Sequence, residues 1–183
     1  CDEAKEKAQW NNTTHLEAAK DMARKSIVLL KNEKILPLSK QTKIALIGPL
    51  VKSVKEHLGF WSFDWDDDTA RITTLYDAVQ KKLSADTKLL YAKGCNVNDT
   101  SKAGFTEAIQ TAYQSDIAII YVGEERAMSG EARSKSNIHL PGVQEELIKA
   151  VMAAGKPVVV IIGAGRPLIF NWTADNVPAI LYT

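Results

Sequence analysis

The chain has 183 residues and a formal net charge of +1, and 45% of its residues are hydrophobic and 25% charged. This composition is typical of a globular protein long enough to bury one sizeable core. A net charge so close to zero gives no electrostatic footprint for nucleic acid or an anionic membrane, and no apolar run approaches the roughly 20 residues of a membrane-spanning helix. We therefore expect neither nucleic acid nor a membrane as a partner.

The first third of the chain predicts a polar lead, a long helix and a strand. Residues 1–13 are polar and helix-compatible, and we expect a linker from a preceding domain there. Thr14 and Glu17 have the spacing of a capping box, and apolar residues follow at helical intervals, which predicts an amphipathic helix over residues 14–31. Residues 43–47 (KIALI) are a short apolar run that ends in a Gly-Pro pair, as is typical of a strand leading into a turn.

Residues 58–68 (LGFWSFDWDDD) contain two tryptophans, two phenylalanines and four aspartates, and they fit neither the helical nor the strand period. Burial in a core would explain the phenylalanines, but the aspartates on both sides of Trp65 resist burial. Aromatic rings edged by carboxylates suit a sugar, because its C–H face stacks on a ring while its hydroxyls donate to acidic oxygens. The segment is either a sugar platform or a set of ordinary core aromatics.

Helices and strands alternate over the rest of the chain. The helices are expected at about residues 75–83, 105–114 and 141–152. The strands are expected at residues 88–91, 116–122, 157–162 and 179–182. Because such alternation means a mostly parallel sheet covered on both faces, we expect one α/β domain over residues 14–183. Its fold class is a three-layer α/β/α sandwich, flavodoxin-like in general architecture.

Residues 118–141 (AIIYVGEERAMSGEARSKSNIHLP) carry the sharpest chemical signal. A buried strand changes at Gly123 into a charged loop with glycines and serines, and open α/β sheets bind their ligands in loops at the carboxyl ends of strands. Glu131 follows Ser129 and Gly130, and small neighbours let a carboxylate project into a cleft. From spacing alone, a solvated loop whose charges only keep the chain soluble explains the pattern equally well.

Other chemical motifs are incomplete. The run that begins at Gly163 after a strand lacks the third glycine of the dinucleotide fingerprint and has Pro167 inside the turn, so a tight strand-to-helix turn explains it better. The three histidines follow no Ser-His-Asp order, and no histidine or cysteine cluster has metal-ligand spacing. We therefore expect no cofactor and no metal.

Five segments of the chain carry a resemblance to a known family. They are residues 23–38 (ARKSIVLLKNEKILPL), 43–50 (KIALIGPL), 91–95 (YAKGC), 122–147 (VGEERAMSGEARSKSNIHLPGVQEEL) and 155–168 (GKPVVVIIGAGRPL). In this order they resemble the second domain of family 3 glycoside hydrolases, especially bacterial β-glucosidases and related β-glycosidases. The resemblance covers nearly the whole chain. It implies an α/β sandwich that follows a catalytic (β/α)8 barrel, and retaining hydrolysis of terminal β-glycosyl residues.

The resemblance also implies roles for individual residues. The barrel would supply an aspartate nucleophile, and Glu131 matches the glutamate that acts as general acid and base. Apart from the resemblance, Glu124 or Glu125 would be the next glutamates to test if Glu131 were only a loop charge. Trp65, then Trp61, match the tryptophans that flank the aglycone sugar. In a retaining enzyme the two carboxyl groups lie about 5–5.5 Å apart on either side of the scissile bond.

The resemblance further implies the partners of the domain and its location. Its partners would be a β-linked oligosaccharide or glycoside and the N-terminal barrel domain of the same protein, in the periplasm or secreted. We expect the chain to be a fragment, truncated before the last strand and helix typical of the domain, and inactive by itself. Many relatives have arginine where Lys135 stands, so a bidentate contact is not expected there. The alternative is a non-catalytic α/β module that binds a sugar or a nucleotide.

Overall fold

The structure, a computed structural model, describes residues 2–10, 12–62 and 72–183. Its helices are α1 (Glu3–Gln9), α2 (Thr13–Ser26), α3 (Leu75–Lys82), α4 (Phe105–Tyr113), α5 (Gln144–Met152) and α6 (Asn171–Asn176). Its strands are β1 (Val28–Asn32), β2 (Ile44–Ile47), β3 (Leu90–Ala92), β4 (Ile117–Gly123), β5 (Val158–Gly163) and β6 (Ala179–Tyr182). Short 3-10 turns lie at Lys55–Leu58 and Arg126–Met128.

The described strands form one sheet in the order β1-β6-β5-β4-β2-β3. Strands β2 to β6 are parallel to one another, and β1 pairs antiparallel with β6 at one edge. Numbered among themselves along the chain, the five parallel strands have the order 2-1-3-4-5, which is the flavodoxin-like order. The predicted fold class is therefore confirmed. The strand order reverses between β2 and β4, where doubly wound sheets open a crevice at their carboxyl ends.

Helices cover both faces of the central strands, so β2 and β4 are buried at every position. Apolar side chains from α4 and α5 pack on one face, together with Trp172 of α6. Side chains from α3 and from residues 35–38 pack on the other face. This two-sided core fixes the carboxyl ends of the strands, and hence the loops that follow them.

The predicted helix over residues 14–31 begins within one residue of α2, but its cap and its end are wrong. The Asn12 side chain caps α2 by accepting from the His15 N–H at 3.0 Å, so the expected capping box does not form. At the other end α2 stops at Ser26, and residues 28–32 form β1. The open edge of β6 offers these residues a hydrogen-bonded ladder, and tertiary pairing of this kind overrides a helical apolar spacing.

The N-terminal helices contribute nothing to the core. Neither α1 nor α2 has a buried residue. Helix α1 occupies most of the segment that we expected to be a linker, and that role remains a prediction. Over residues 2–10, 12–62 and 72–183, none of the helices has the length and apolar character needed to cross a membrane.

Candidate active site

A cleft of about 450 Å³ opens at the carboxyl ends of β2, β4 and β5, where the strand order reverses. One wall is the loop after β2 (the β2 loop, described over residues 48–62), and the other is the loop after β4 (the β4 loop, residues 124–140). The turn after β5 (the β5 turn, residues 164–170) closes one end. The predicted location of a ligand site at this sheet edge thus coincides with a cleft in the structure.

A glycine contact and a buried glutamine fix the root of the β4 loop. A Cβ on Gly123, whose φ is +150°, would lie 1.8 Å from the carbonyl oxygen of Gly163, so only glycine fits. The Gln144 side chain is fully buried, accepts from the Gly123 N–H at 2.9 Å and donates to its carbonyl at 2.7 Å. Its Nε2 also lies 3.0 and 3.1 Å from the carbonyls of Val97 and Pro141. The chain therefore leaves β4 in a fixed direction.

Glu124, the first residue of the β4 loop, is the centre of a buried ion cluster. Its side chain is 1% exposed, and its oxygens accept from Lys135 Nζ at 2.9 Å and from Arg166 Nε at 3.2 Å. A buried carboxylate is tolerated only when it is paired in this way. We call Glu124, Lys135 and Arg166 the Glu124 cluster. Both of its oxygens are engaged by cations, which makes Glu124 a weaker candidate than Glu131 for the acid/base.

The Glu124 cluster reaches the turn that carries Glu131. Arg166 Nη2 donates to the carbonyl of Met128 and, at 2.9 Å, to the carbonyl of Arg133. Ser129 Oγ donates to the carbonyl of Gly165 at 3.2 Å, which ties the same loop to the β5 turn. The turn is thus fastened on both sides of Glu131.

Glu131 lies in a tight turn at the rim of the cleft. The turn closes through the Arg133 N–H, which donates to the Gly130 carbonyl at 3.2 Å, and Ala132 has a φ of +57°. The Glu131 side chain is exposed. Ser129, two residues earlier, lines the cleft, and Glu131 itself is not among the lining residues. The exposed carboxyl group therefore lies beside the cleft and is open to a molecule that approaches from solvent.

The β2 loop is fastened to the β4 loop by a second arginine. Arg126 donates from Nε to the Gly59 carbonyl at 2.6 Å and from Nη2 to the Ser62 carbonyl at 3.0 Å. The Glu56 carboxylate accepts from the Arg126 backbone N–H. All three contacts join Arg126 of the β4 loop to residues of the β2 loop. The shape of the cleft therefore depends on both loops together.

Aromatic side chains occupy the upper part of the β2 loop. The Phe60 ring packs on Gly130, where an added Cβ would lie 2.2 Å from the ring. Trp61 packs edge-on against Phe60 at 5.1 Å between centroids, is 71% exposed and lines the cleft. The indole therefore offers a free face at the cleft mouth. Trp65, the first-ranked sugar platform from the sequence, lies outside the described residues.

His57 and Tyr121 form a stacked pair in the cleft, with ring centroids 5.8 Å apart. Burial raises the pKa of Tyr121 to about 12, so the phenol stays neutral. Burial also lowers the pKa of His57, against the opposing effects of the Glu56 carboxylate and of a backbone hydrogen bond with Ser53. A neutral imidazole presents one donor and one acceptor, which suits a hydroxyl-rich ligand.

Arg166, which joins the β5 turn to the β4 loop, is not among the residues predicted from the sequence. Its segment was interpreted only as a tight strand-to-helix turn. The available signal was its position, because an arginine just after one parallel strand shares a sheet edge with the charged loop after the neighbouring strand.

Lys135 contacts a single oxygen of Glu124, so no bidentate contact forms. Over residues 2–10, 12–62 and 72–183 we find no group of three or more candidate ligands that could hold a metal ion.

Comparison with known proteins identifies the family. Residues 27–183 match the glycosyl hydrolase family 3 C-terminal domain. The chain therefore belongs to this family, as the resemblance in the sequence implied.

Several named relatives share most of the chain. It is 37% identical over 183 residues to a β-xylosidase of Formosa agariphila, covering 97% of this chain and 25% of that protein. It is 36% identical over 190 residues to a periplasmic β-glucosidase of Salmonella typhimurium, covering 92% of this chain and 25% of that protein. The structure of a β-glucosidase from Listeria innocua in complex with glucose superposes with a TM-score of 0.82 at 28% identity, covering 94% of this chain and 23% of that one. The chain thus spans about a quarter of the length of these relatives.

Proposed function

We propose that this domain supplies the general acid/base, Glu131, of a retaining β-glycosidase. The observation that carries the proposal is an exposed carboxylate in a turn fastened on both sides, at the rim of the switch-point cleft. Membership in glycosyl hydrolase family 3 and relatives named as a β-xylosidase and a β-glucosidase support the reaction class. They also favour a glycosidase over a non-catalytic sugar- or nucleotide-binding module.

In the proposed reaction, the nucleophile is an aspartate of the N-terminal barrel domain, since the chain matches only a quarter of the length of its relatives. As this aspartate attacks the anomeric carbon of a terminal β-D-glycosyl residue, Glu131 gives its proton to the departing glycosidic oxygen. In the second step the Glu131 carboxylate takes a proton from water, which then hydrolyses the glycosyl-enzyme. The exposure of Glu131 fits a site completed by a second domain above the cleft.

The cleft would receive the aglycone part of the substrate. Trp61 offers an exposed indole face at its mouth, and the stacked His57 offers hydrogen-bonding groups inside it. Trp65 is proposed as a further platform from the resemblance alone. By the printed name of the Salmonella relative, we also infer a periplasmic or secreted location. The proposed partners are a β-linked oligosaccharide or glycoside and an N-terminal barrel domain.

The test compares two substrates in the full-length protein that contains this chain. An unactivated disaccharide has a poor leaving group that must be protonated, whereas an activated aryl β-glycoside releases a phenolate that leaves unaided. Glu131→Ala should lower kcat/KM for the disaccharide by about 10²–10⁴-fold and should lower it far less for the aryl glycoside.

A matched control is Asp86→Ala, which removes an exposed carboxylate between α3 and the amino end of β3 and should leave both values unchanged. Equal losses of kcat/KM on both substrates in Glu131→Ala would contradict the proposal. Glu125, which lines the cleft, would then be the next glutamate to replace.

A further inference from the structure

We propose that Arg166 is a positioning residue that sets the location of the Glu131 carboxyl group by holding the β4 loop on both sides of it. The inference rests on the proposed function, since it assumes that Glu131 transfers a proton. It assigns a role in the reaction to the β5 turn, which contains neither a candidate acid/base nor a sugar platform.

The guanidinium group makes three contacts that only a planar, forked side chain can combine. Nε donates to the buried Glu124 carboxylate at 3.2 Å, while Nη2 donates to the carbonyls of Met128 and Arg133, the latter at 2.9 Å. These two carbonyls lie three residues before and two residues after Glu131. The guanidinium therefore spans the turn from one side to the other.

Arg166 is itself held against the sheet. Its side chain is 19% exposed, and Tyr182 of β6 donates its hydroxyl to the Arg166 carbonyl. The Glu124 side chain that Arg166 Nε contacts is 1% exposed, so the anchor of the guanidinium is buried. A contact chain therefore runs from the strand β6 through Arg166 to the turn. Functional groups are held most accurately when they are supported from rigid elements in this way.

The turn needs an external support because its own backbone provides little. Glu131 lies between Gly130, with a φ of +143°, and Ala132, with a φ of +57°, and it belongs to no helix or strand. A general acid must lie within hydrogen-bond reach of the oxygen that it protonates. A misplacement of about 1 Å can cost about 10²-fold in rate. Loss of the Arg166 contacts should therefore impair proton transfer before it impairs folding.

The test uses Arg166→Lys in the full-length enzyme, because lysine keeps the positive charge beside Glu124 but has no fork to reach the two carbonyls. We expect kcat/KM for the unactivated disaccharide to fall about 10- to 100-fold. For the activated aryl glycoside, which needs no protonation, we expect a fall of less than about 3-fold. In the Glu131→Ala background the same substitution should cost nothing further on either substrate, since Arg166 acts through Glu131.

Two control variants separate positioning from general damage. Lys135→Gln removes the other cation from Glu124 without touching the carbonyls of the turn, and its losses should be small and similar on both substrates. Arg24→Lys, on the exposed surface of α2, should leave kcat/KM for both substrates unchanged.

If Arg166→Lys fails to fold, Ser129→Ala provides a second test. It removes the neighbouring hydrogen bond to the Gly165 carbonyl and should give the same substrate-selective loss in kcat/KM, reduced to about 3- to 10-fold.

The outcomes distinguish this inference from the proposed function. If Glu131→Ala shows no substrate-selective loss, the proposed function fails and the inference fails with it. If Glu131→Ala is selective while Arg166→Lys loses equally on both substrates, Arg166 is only structural. Additive losses in the double variant would lead to the same conclusion. If Arg166→Lys does not fold and Ser129→Ala is not selective, the inference is likewise overturned.

Discussion

The two walls of the cleft are built in different ways. The β4 loop is anchored in the body of the domain through the Gly123 contact, the Gln144 amide and the Glu124 cluster. The described part of the β2 loop is hydrogen-bonded to the body only at its start, where the Leu50 N–H donates to the Tyr121 carbonyl at 3.4 Å and Val51 is buried. Farther along, residues 55–62 are hydrogen-bonded to Arg126 of the opposite wall, and the Phe60 ring packs on Gly130 of that wall. The β4 loop thus supports residues 55–62 of the β2 loop.

This difference predicts which loop each substitution should disturb. A change at the root of the β4 loop should disturb both walls, because the β2 loop depends on the position of the β4 loop. A change at the contact between the walls should free the β2 loop alone. The same asymmetry suits the proposed chemistry, in which Glu131 must be placed accurately and the aromatic wall need only cover a sugar.

Gly123→Ala should lower the stability of the domain more than the other substitutions, because it places a methyl group 1.8 Å from the Gly163 carbonyl oxygen. We expect a loss of about 4 kcal/mol in the free energy of unfolding, at the upper end of single-site effects. Urea denaturation monitored by tryptophan fluorescence would measure it. Gly155→Ala is the matched control, with a φ of +73° but no atom within 4 Å of the added Cβ, and should cost only about 1–2 kcal/mol. Equal losses in the two variants would refute the role of the Gly123 contact.

Glu124→Gln should come next, because it leaves Lys135 and Arg166 beside a neutral amide. Removing one partner of a buried pair costs about 3–5 kcal/mol, and the partial exposure of both cations reduces the expected loss to about 2–3 kcal/mol. Hydrogen exchange should accelerate in both walls, over residues 55–62 and 126–135. The neighbouring Glu125→Gln should change stability by less than about 0.5 kcal/mol. Unchanged exchange in the Glu124 variant would show that the cluster does not support the loops.

Gly130→Ala sharpens the comparison by acting where the walls meet and, through the φ of +143° at this position, on the turn around Glu131. The new methyl group would lie 2.2 Å from the Phe60 ring, so the ring and its loop must move. Exchange should accelerate over residues 55–62 and in the turn over residues 130–133, and stay as in the parent over residues 135–140, at a cost of about 1–2 kcal/mol in stability. Gly59→Ala, with a φ of +67° and open space around its Cβ, provides the control within the β2 loop. Faster exchange over residues 135–140 as well would mean that the β4 loop is not independently anchored.

The smallest expected effect is the pH dependence of stability that comes from His57 of the β2 loop. Burial lowers the pKa of His57 below its ordinary value of 6.5, so between the two values the unfolded chain binds more protons than the folded one. Stability should therefore rise with pH across that window, level off above about 6.5, and decline as pH falls through it. His57→Gln should flatten the profile, whereas His15→Gln, on the exposed α2, should leave it unchanged. A profile that His57→Gln does not alter would assign the pH dependence to other groups.

Local pattern was sufficient for most of the fold and for part of the site. The uninterrupted apolar runs of β4 and β5 identify buried parallel strands, and alternation with helices implies the sandwich. Strand β1 escaped detection because its pairing with β6 joins segments about 150 residues apart, and nothing in its helical spacing signals that partner. Glu131 was singled out by its small neighbours, and the roles proposed for Glu131 and Trp61 come from the resemblance and stay predictions. The Glu124–Arg166 pair spans 42 residues and becomes visible only when neighbouring strands bring the two loops together.

The central claim, that Glu131 is the acid/base of a retaining β-glycosidase, is tested most directly by azide in the full-length Glu131→Ala enzyme. With an activated aryl β-glycoside the first step proceeds, but hydrolysis of the glycosyl-enzyme slows because water has lost its base. Azide needs no deprotonation, so it should raise turnover and give a glycosyl azide. NMR spectroscopy of the product should show the β anomer, because two inversions restore the starting configuration. No azide-dependent turnover, or an α-azide product, would contradict the claim.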